Sequence, residues 1–176
     1  TAATASWDRT ARLWDLAAGS AGPVLEGHTA PVNAVAFSAD GALVYTAGAD
    51  GQIRQFRTSD GSLVRPVHRH GWGINTLVRL PGSEHLAFGT LNGGAAVLDP
   101  ASGTVIATLA SAQRPILALA VIEKPGLLAV SGGDGVIRVH RLADLSPLED
   151  TQNPYGPVWA LAFRPDGTGL YHGGLD

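Results

Sequence analysis

The sequence predicts an all-β fold of four-stranded antiparallel units, and three observations lead there. The first is a repeat. Asp8, Asp50, Asn92, Asp134 and Asp176 follow one another at intervals of 42 residues, as do Val35, Leu77, Leu119 and Leu161. Pro31, Gly73, Pro115 and Pro157 form a third column, Ala11, Ile53, Ala95 and Ile137 a fourth, and Arg12, Arg54 and Arg138 a fifth, with Ala96 in its remaining place. A period of 42 falls in the ~40–45 residues of a four-stranded propeller blade. The second is turn chemistry: Asp50-Gly51, Asn92-Gly93 and Asp134-Gly135 suit two-residue hairpins, whose central positions need positive φ. The third is a set of short runs rich in Val, Ile, Leu and Ala, with no stripe at the helical period of 3.6. Together they predict a β-propeller.

The elements follow in order. Residues 1–28 form a partial blade, opening in a second strand (Ala3 to Ser6) and continuing through Thr10 to Trp14 to a turn at Gly19. Residues 29–70 form a whole blade, with an inner strand from Val32 to Phe37, a hairpin at Asp40-Gly41, a second strand ending at Asp50 and a turn at Gly61. Residues 71–112 repeat the plan with turns at Pro81-Gly82, Asn92-Gly93 and Gly103. Residues 113–154 do so with Pro125-Gly126 and Asp134-Gly135, and Val136 to Val139 as a strand. Residues 155–176 form a second partial blade, with a hairpin at Asp166-Gly167 and a strand from Leu170 to Gly173. Three whole blades plus two partial ones are expected. Both partial blades carry the same second strand, so they do not complete each other. A propeller closes with ~4–8 blades. The expectation is part of a larger propeller, whose further blades are one class of partner; assembly of several copies into a ring is the alternative. Thr1 in place of Met predicts that the natural chain starts earlier.

These residues resemble the WD-repeat (WD40) family. Gly27-His28 matches the family's Gly-His, ahead of an inner strand reading Val32-Asn33-Ala34-Val35-Ala36-Phe37. Trp14-Asp15 is the name-giving dipeptide, and Val158-Trp159-Ala160-Leu161-Ala162-Phe163 repeats the inner strand. The resemblance implies a buried set of Trp, Ser or Thr, turn Asp and Gly-His histidine. It assigns Thr46, Asp50 and His28 to that set in one blade, with Phe56 replacing Trp, and Thr4, Asp8 and Trp14 in the blade before. Asp134 is a turn residue of the same kind. The Trp14 column continues as Phe56, Leu98 and His140, and the His28 column as His70, Ala112 and Pro154. The later blades should therefore rest more on apolar packing.

Composition narrows the function. With 45% hydrophobic and 15% charged residues, 23 Gly and 11 Pro, the chain reads as buried and turn-rich, not disordered. Net charge is −3 and the 12 basic residues are scattered, which argues against nucleic acid. No apolar run reaches the ~18 residues of a membrane helix, so no membrane insertion is expected. There is no Cys, hence no disulfide and no thiolate ligand or nucleophile. Lys124 is the one Lys among the basic residues, a bias toward Arg that points to a GC-rich genome and a bacterial source.

No catalytic constellation emerges. His68 and His70 alternate on one strand, but two His without a carboxylate at ligand spacing make no zinc site. They read as a surface His and a family structural His; His140 reads as half-buried packing. Glu149-Asp150 is placed on a solvated outer strand or loop. No cofactor is expected, and the chain is read as a non-enzyme. The resemblance implies instead a binding face, at the loops before the inner strands and the residue before each turn Asp. By position these are Trp72, Tyr155 and the column Asn33, Asn75, Leu117, Trp159, with Trp7, Ala49, Leu91, Gly133 and Leu175. Trp72, Asn75, Tyr155, Trp159, Trp7 and Leu91 are the candidate contacts to protein partners. Arg12, Arg54 and Arg138 are expected on a flank, pairing with carboxylates. The rival reading is the propeller half of an exported bacterial c-type cytochrome-like redox protein. The compartment, cytoplasmic or in the rival case periplasmic, is not set by these residues.

Overall fold

The computed structural model describes residues 1–148 and 150–174 of the chain; Glu149, Leu175 and Asp176 lie outside the described residues. The chain is all β. A three-stranded sheet comes first: β1 (Ala2–Ala5), β2 (Ala11–Asp15) and β3 (Ser20–Leu25). Three four-stranded sheets follow. They are β4 (Val32–Phe37), β5 (Leu43–Gly48), β6 (Gln52–Arg57) and β7 (Leu63–Arg69); then β8 (Ile74–Arg79), β9 (Leu86–Thr90), β10 (Gly94–Asp99) and β11 (Thr104–Ser111); then β12 (Ile116–Ile122), β13 (Leu127–Gly132), β14 (Val136–Arg141) and β15 (Thr151–Gln152). A two-stranded sheet of β16 (Val158–Phe163) and β17 (Leu170–Gly174) ends the series.

All the pairings are antiparallel and sequential, as short hairpin turns dictate. The sheets stack face to face, with β4, β8, β12 and β16 side by side as the inner strands. This is the blade arrangement of a propeller, and no helix among the described residues is long and apolar enough to cross a membrane.

The core lies between sheets, not within them. Leu13 and Leu25 of the first sheet meet Val32, Val44 and Phe56 of the second. Tyr45 and Ile53 meet Ile74, Leu77 and Phe88 of the third. Ala87 and Val97 meet Ile116, Leu128 and Val130 of the fourth. The second strands are therefore covered on both faces. Val44 to Ala47, Leu86 to Thr90 and Leu128 to Ser131 are buried without interruption, and they read as continuous runs where a half-exposed strand would alternate. The outermost β7 is mostly exposed or half-buried, with Val67 its one buried residue.

Side chains link the inner strands as well. The Asn33 amide donates to the carbonyl of Ile74 at 2.9 Å, and the Asn75 amide donates to that of Ile116 at 2.9 Å. Leu117 has no donor to continue the series. The Val158 carbonyl receives the Ser131 hydroxyl instead, at 3.3 Å.

Candidate functional site

The best-preserved polar set sits in the first four-stranded sheet. His28 precedes β4, and its ring enters the sheet: Nδ1 lies 3.0 Å from both carboxylate oxygens of Asp50, and Nε2 lies 2.8 Å from the Thr46 hydroxyl. The Thr29 and Gln52 amides also donate to Asp50, at 3.0 and 3.1 Å. Burial pushes the His28 ring below its ordinary value, and the Arg54 charge acts the same way against the opposing pull of Asp50. The ring is thus neutral at pH 7, donating through Nδ1 and accepting the Thr46 proton at Nε2. Burial pushes Asp50 up, but the Thr29 amide and His28 outweigh it and hold the carboxyl below its ordinary range. Phe56, fully buried, fills the place of the missing Trp.

The preceding sheet holds the other half of the set. The Trp14 indole N–H donates to the Thr4 hydroxyl at 2.9 Å, with the Arg12 guanidinium 5.9 Å over the ring. Asp8 accepts from the Thr10 hydroxyl and amide, which hold its carboxyl below the ordinary value. Further along, packing replaces polar contacts. Phe88 stands in the Thr46 column, and the His70 ring lies against it at 5.9 Å instead of reaching Asn92. Asn92 accepts from Thr90 at 2.6 Å. Asp134 pairs with Arg138 at 2.7 Å and closes its turn through the Val136 amide.

The end of the sheets where the inner strands begin, the upper end, carries the candidate binding residues. Trp72 is 59% exposed, Tyr155 70%, Trp7 86%, Trp159 56% and Leu91 41%. Their loops are held firmly. The Trp72 amide donates to His70 Nδ1 at 3.2 Å. A Cβ on Gly73 would lie 2.8 Å from both the Ala49 carbonyl and Leu91, so only glycine lets this loop settle there. Buried Asn153 clamps the Tyr155 loop, accepting from the Tyr155 amide at 3.3 Å and donating to the Gly156 carbonyl at 3.0 Å.

The family model described as "WD domain, G-beta repeat" matches residues 1–15 and 19–57. Over these segments the chain is similar to the WD-repeat family. The matched segments are those that keep His28, Thr46, Asp50 and the Trp14–Thr4 bond. Relatives extend further. "Pre-mRNA-processing factor 19 homolog 2" of Arabidopsis thaliana is 25% identical over 170 residues, 94% of this chain and 32% of that protein. "COMPASS component SWD3" of Saccharomyces cerevisiae is 28% identical over 122 residues, 64% of this chain and 39% of that protein. "Small ribosomal subunit protein RACK1y" of Oryza sativa subsp. japonica is 38% identical over 64 residues, 36% of this chain and 19% of that protein. The chain spans about a third of the length of the first two. These relatives are eukaryotic, and neither the bacterial source nor the redox reading gains support from them.

Several expectations for individual residues change. Asn75 is half-buried and its amide is engaged by Ile116, so it acts as a tie between inner strands. His68 is no surface residue: its ring lies 5.7 Å from Phe88 and its Nδ1 meets the Gly103 carbonyl at 3.0 Å. His140 is fully buried, not half-buried. Its Nδ1 meets the Leu145 carbonyl at 3.2 Å and its Nε2 has no partner among the described residues, where Val130 holds the column of Thr4 and Thr46. Among the three column arginines only Arg138 meets carboxylates; Arg12 donates to the Gly22 carbonyl and Arg54 to the Gln52 amide oxygen. The sequence did carry one signal for the Asn ties: Asn33 and Asn75 share a column in an inner strand, one residue after the buried Val32 and Ile74.

Proposed function

We propose that this chain is a non-catalytic interaction scaffold that presents its upper-end loops to protein partners. One observation carries the reading: Trp72, with a four-stranded sheet on either side, is more than half exposed at the upper end, where Trp7 and Tyr155 also stand in exposed loops. Aromatic side chains dominate interface energetics, and exposing several together has no folding benefit. The clamped loops favour binding because little ordering entropy is lost on contact. Trp72, in the loop where Gly73 lies close to Leu91, forms one anchor, and Tyr155 a second. Asn75 contributes indirectly, by fixing the inner strands beneath them. Similarity to the family supports a binding role over a catalytic one, and the redox alternative has no observation in its favour.

The test compares Trp72→Ala and Tyr155→Ala with the native chain in quantitative affinity purification and thermal unfolding. Loss of the same co-purifying proteins with unchanged Tm supports the reading. Retention of all of them by the double variant defeats it.

A further inference from the structure

The lower end of the stack, opposite the aromatic loops, holds a different kind of site. Between the sheets β4–β7 and β8–β11 lies a cleft of about 340 Å³, lined by Asp40, Tyr45, Gln55, Arg65, Glu84 and Pro100. Its floor is polar. Tyr45 and Gln55 are 2% and 7% exposed, and the Gln55 amide donates to the Tyr45 hydroxyl at 3.0 Å. The Tyr45 proton and the Gln55 carbonyl oxygen have no partner among the described residues.

The fold does not require this pair. In the three other sheets that carry both positions, the 42-residue columns read Ala3 with Leu13, Ala87 with Val97, and Ala129 with Val139. The corresponding cleft one sheet further on has Leu80, Ile106, Leu142 and Leu145 in its lining together with Ser83, His85 and Asp144, and no Tyr–Gln pair on its floor. The three sibling sheets use aliphatic residues at these positions, and apolar replacement of both partners is near neutral, so stability alone does not select the polar pair.

The rim indicates what the site takes. Asp40 accepts from the Ser38 hydroxyl at 2.6 Å and the Ala42 amide at 2.9 Å through one oxygen, and the Ser38 bond, then the Ala42 amide, keep its carboxyl ionised. Glu84 uses one oxygen on the Ala39 amide, at 3.2 Å. The second oxygen of each remains available. The cation beside them is already engaged, since Arg65 donates to the Pro100 and Ala101 carbonyls of the next sheet. Burial, reinforced by the Glu84 and Asp40 charges, pushes the Tyr45 hydroxyl up, so it keeps its proton. The cleft thus offers two carboxylates and an amide carbonyl, spread around an opening with Leu43 and Pro100 as apolar walls.

We infer that this cleft receives an arginine side chain from a partner protein, the planar guanidinium meeting Asp40, Glu84 and the Gln55 carbonyl while its stem lies on Leu43 and Pro100. Several donors in one plane suit acceptors dispersed this way better than the single point charge of lysine. The site lies beyond the upper-end reading and does not rest on it.

N-acetyl-arginine methylamide, titrated into isotope-labelled intact protein and followed by NMR, tests the inference. The expected result is saturable movement of the Gln55 side-chain amide and of the Ala39, Ala42 and Ala101 backbone signals. The neutral citrulline analogue and the lysine analogue should each bind at least about fivefold more weakly. Glu84→Gln, on the exposed rim, should weaken arginine binding by a similar factor with Tm preserved, and so should Gln55→Leu combined with Tyr45→Phe, which removes both members of the buried pair. Absence of saturation at tens of millimolar overturns the inference, and so does equal binding of citrulline or lysine. Trp72→Ala should leave the titration unchanged, so failure here and failure of the upper-end reading are separable.

Discussion

His28 Nδ1 stands 3.0 Å from both oxygens of Asp50, and the contact joins a neutral imidazole to a carboxylate. The ring is buried and its Nε2 already accepts the Thr46 proton, so protonating it breaks one bond while adding a charge. The unfolded chain takes up that proton near the ordinary value of 6.5, and the folded chain only at lower pH. Between those two values the unfolded state binds more protons, so stability rises with pH there. Thermal unfolding should show Tm falling as pH drops below about 6.5. It should fall again below about 3.8, where Asp50 protonates in the unfolded chain before it does in the folded one. His28→Gln should flatten the first of these slopes; an unchanged slope would mean another group is responsible.

Thr46 and Thr4 hold the same column but should respond differently to Thr→Val. Thr46 is fully buried and its hydroxyl serves His28. Its loss leaves Nε2 without a partner and should cost about 1–3 kcal/mol. Thr4 is exposed and its partner Trp14 can turn to water. There the cost should be about 0.5–1 kcal/mol. Urea midpoints of the two variants give the comparison, and equal losses would contradict it.

Asn75→Ala should destabilise the chain by about 1–2 kcal/mol, because the Ile116 carbonyl loses its donor between two inner strands. The same measurement separates a tie from a contact. If Asn75→Ala lost partner proteins at unchanged Tm, the bond to Ile116 would not be its main role.

Arg9 has φ 76° in the turn where the other sheets place Gly51, Gly93 and Gly135. Left-handed backbone costs a residue with a side chain about 1–2 kcal/mol. Glycine's extra unfolded-state freedom offsets part of that. Arg9→Gly should therefore raise stability by about 0.5–1 kcal/mol, read as a higher denaturant midpoint. A decrease would show that the exposed Arg9 side chain makes a contact of value.

The strand plan was legible because each turn and strand recurs four or five times, so a weak local signal such as Pro81-Gly82 is supported by Asp40-Gly41 and Asp166-Gly167. The His28, Thr46 and Asp50 set was legible for the same reason, through its resemblance to known repeats. What escaped were relationships between sheets. Asn75 sits in a column of Asn, Asn, Leu and Trp, and such variety suggested a free surface position; its bond runs to Ile116, 41 residues away, on a neighbouring sheet. His70 shares the His28 column, yet Phe88 in place of a hydroxyl turns that site into ring packing. Leu145, with φ 58°, holds the place of Gly19, Gly61 and Gly103 and gave no sign of a left-handed turn, because its apolar side chain packs against the core. The Tyr45–Gln55 floor is visible in the columns only once both residues are known to face one cleft.

Because the three apolar clusters each bridge two sheets, no sheet owns its core. Leu13 shelters Phe56, Ile53 shelters Phe88, and Val97 shelters Leu128 only while both neighbours stay docked. Cooperativity should therefore pass from neighbour to neighbour along the array, and opening should begin where a sheet has lost contact on one side. Amide protons of β5 and β9, covered on both faces, would exchange last. A lesion in one sheet would accordingly be felt first in the adjoining one, as a shortened lifetime of its closed state.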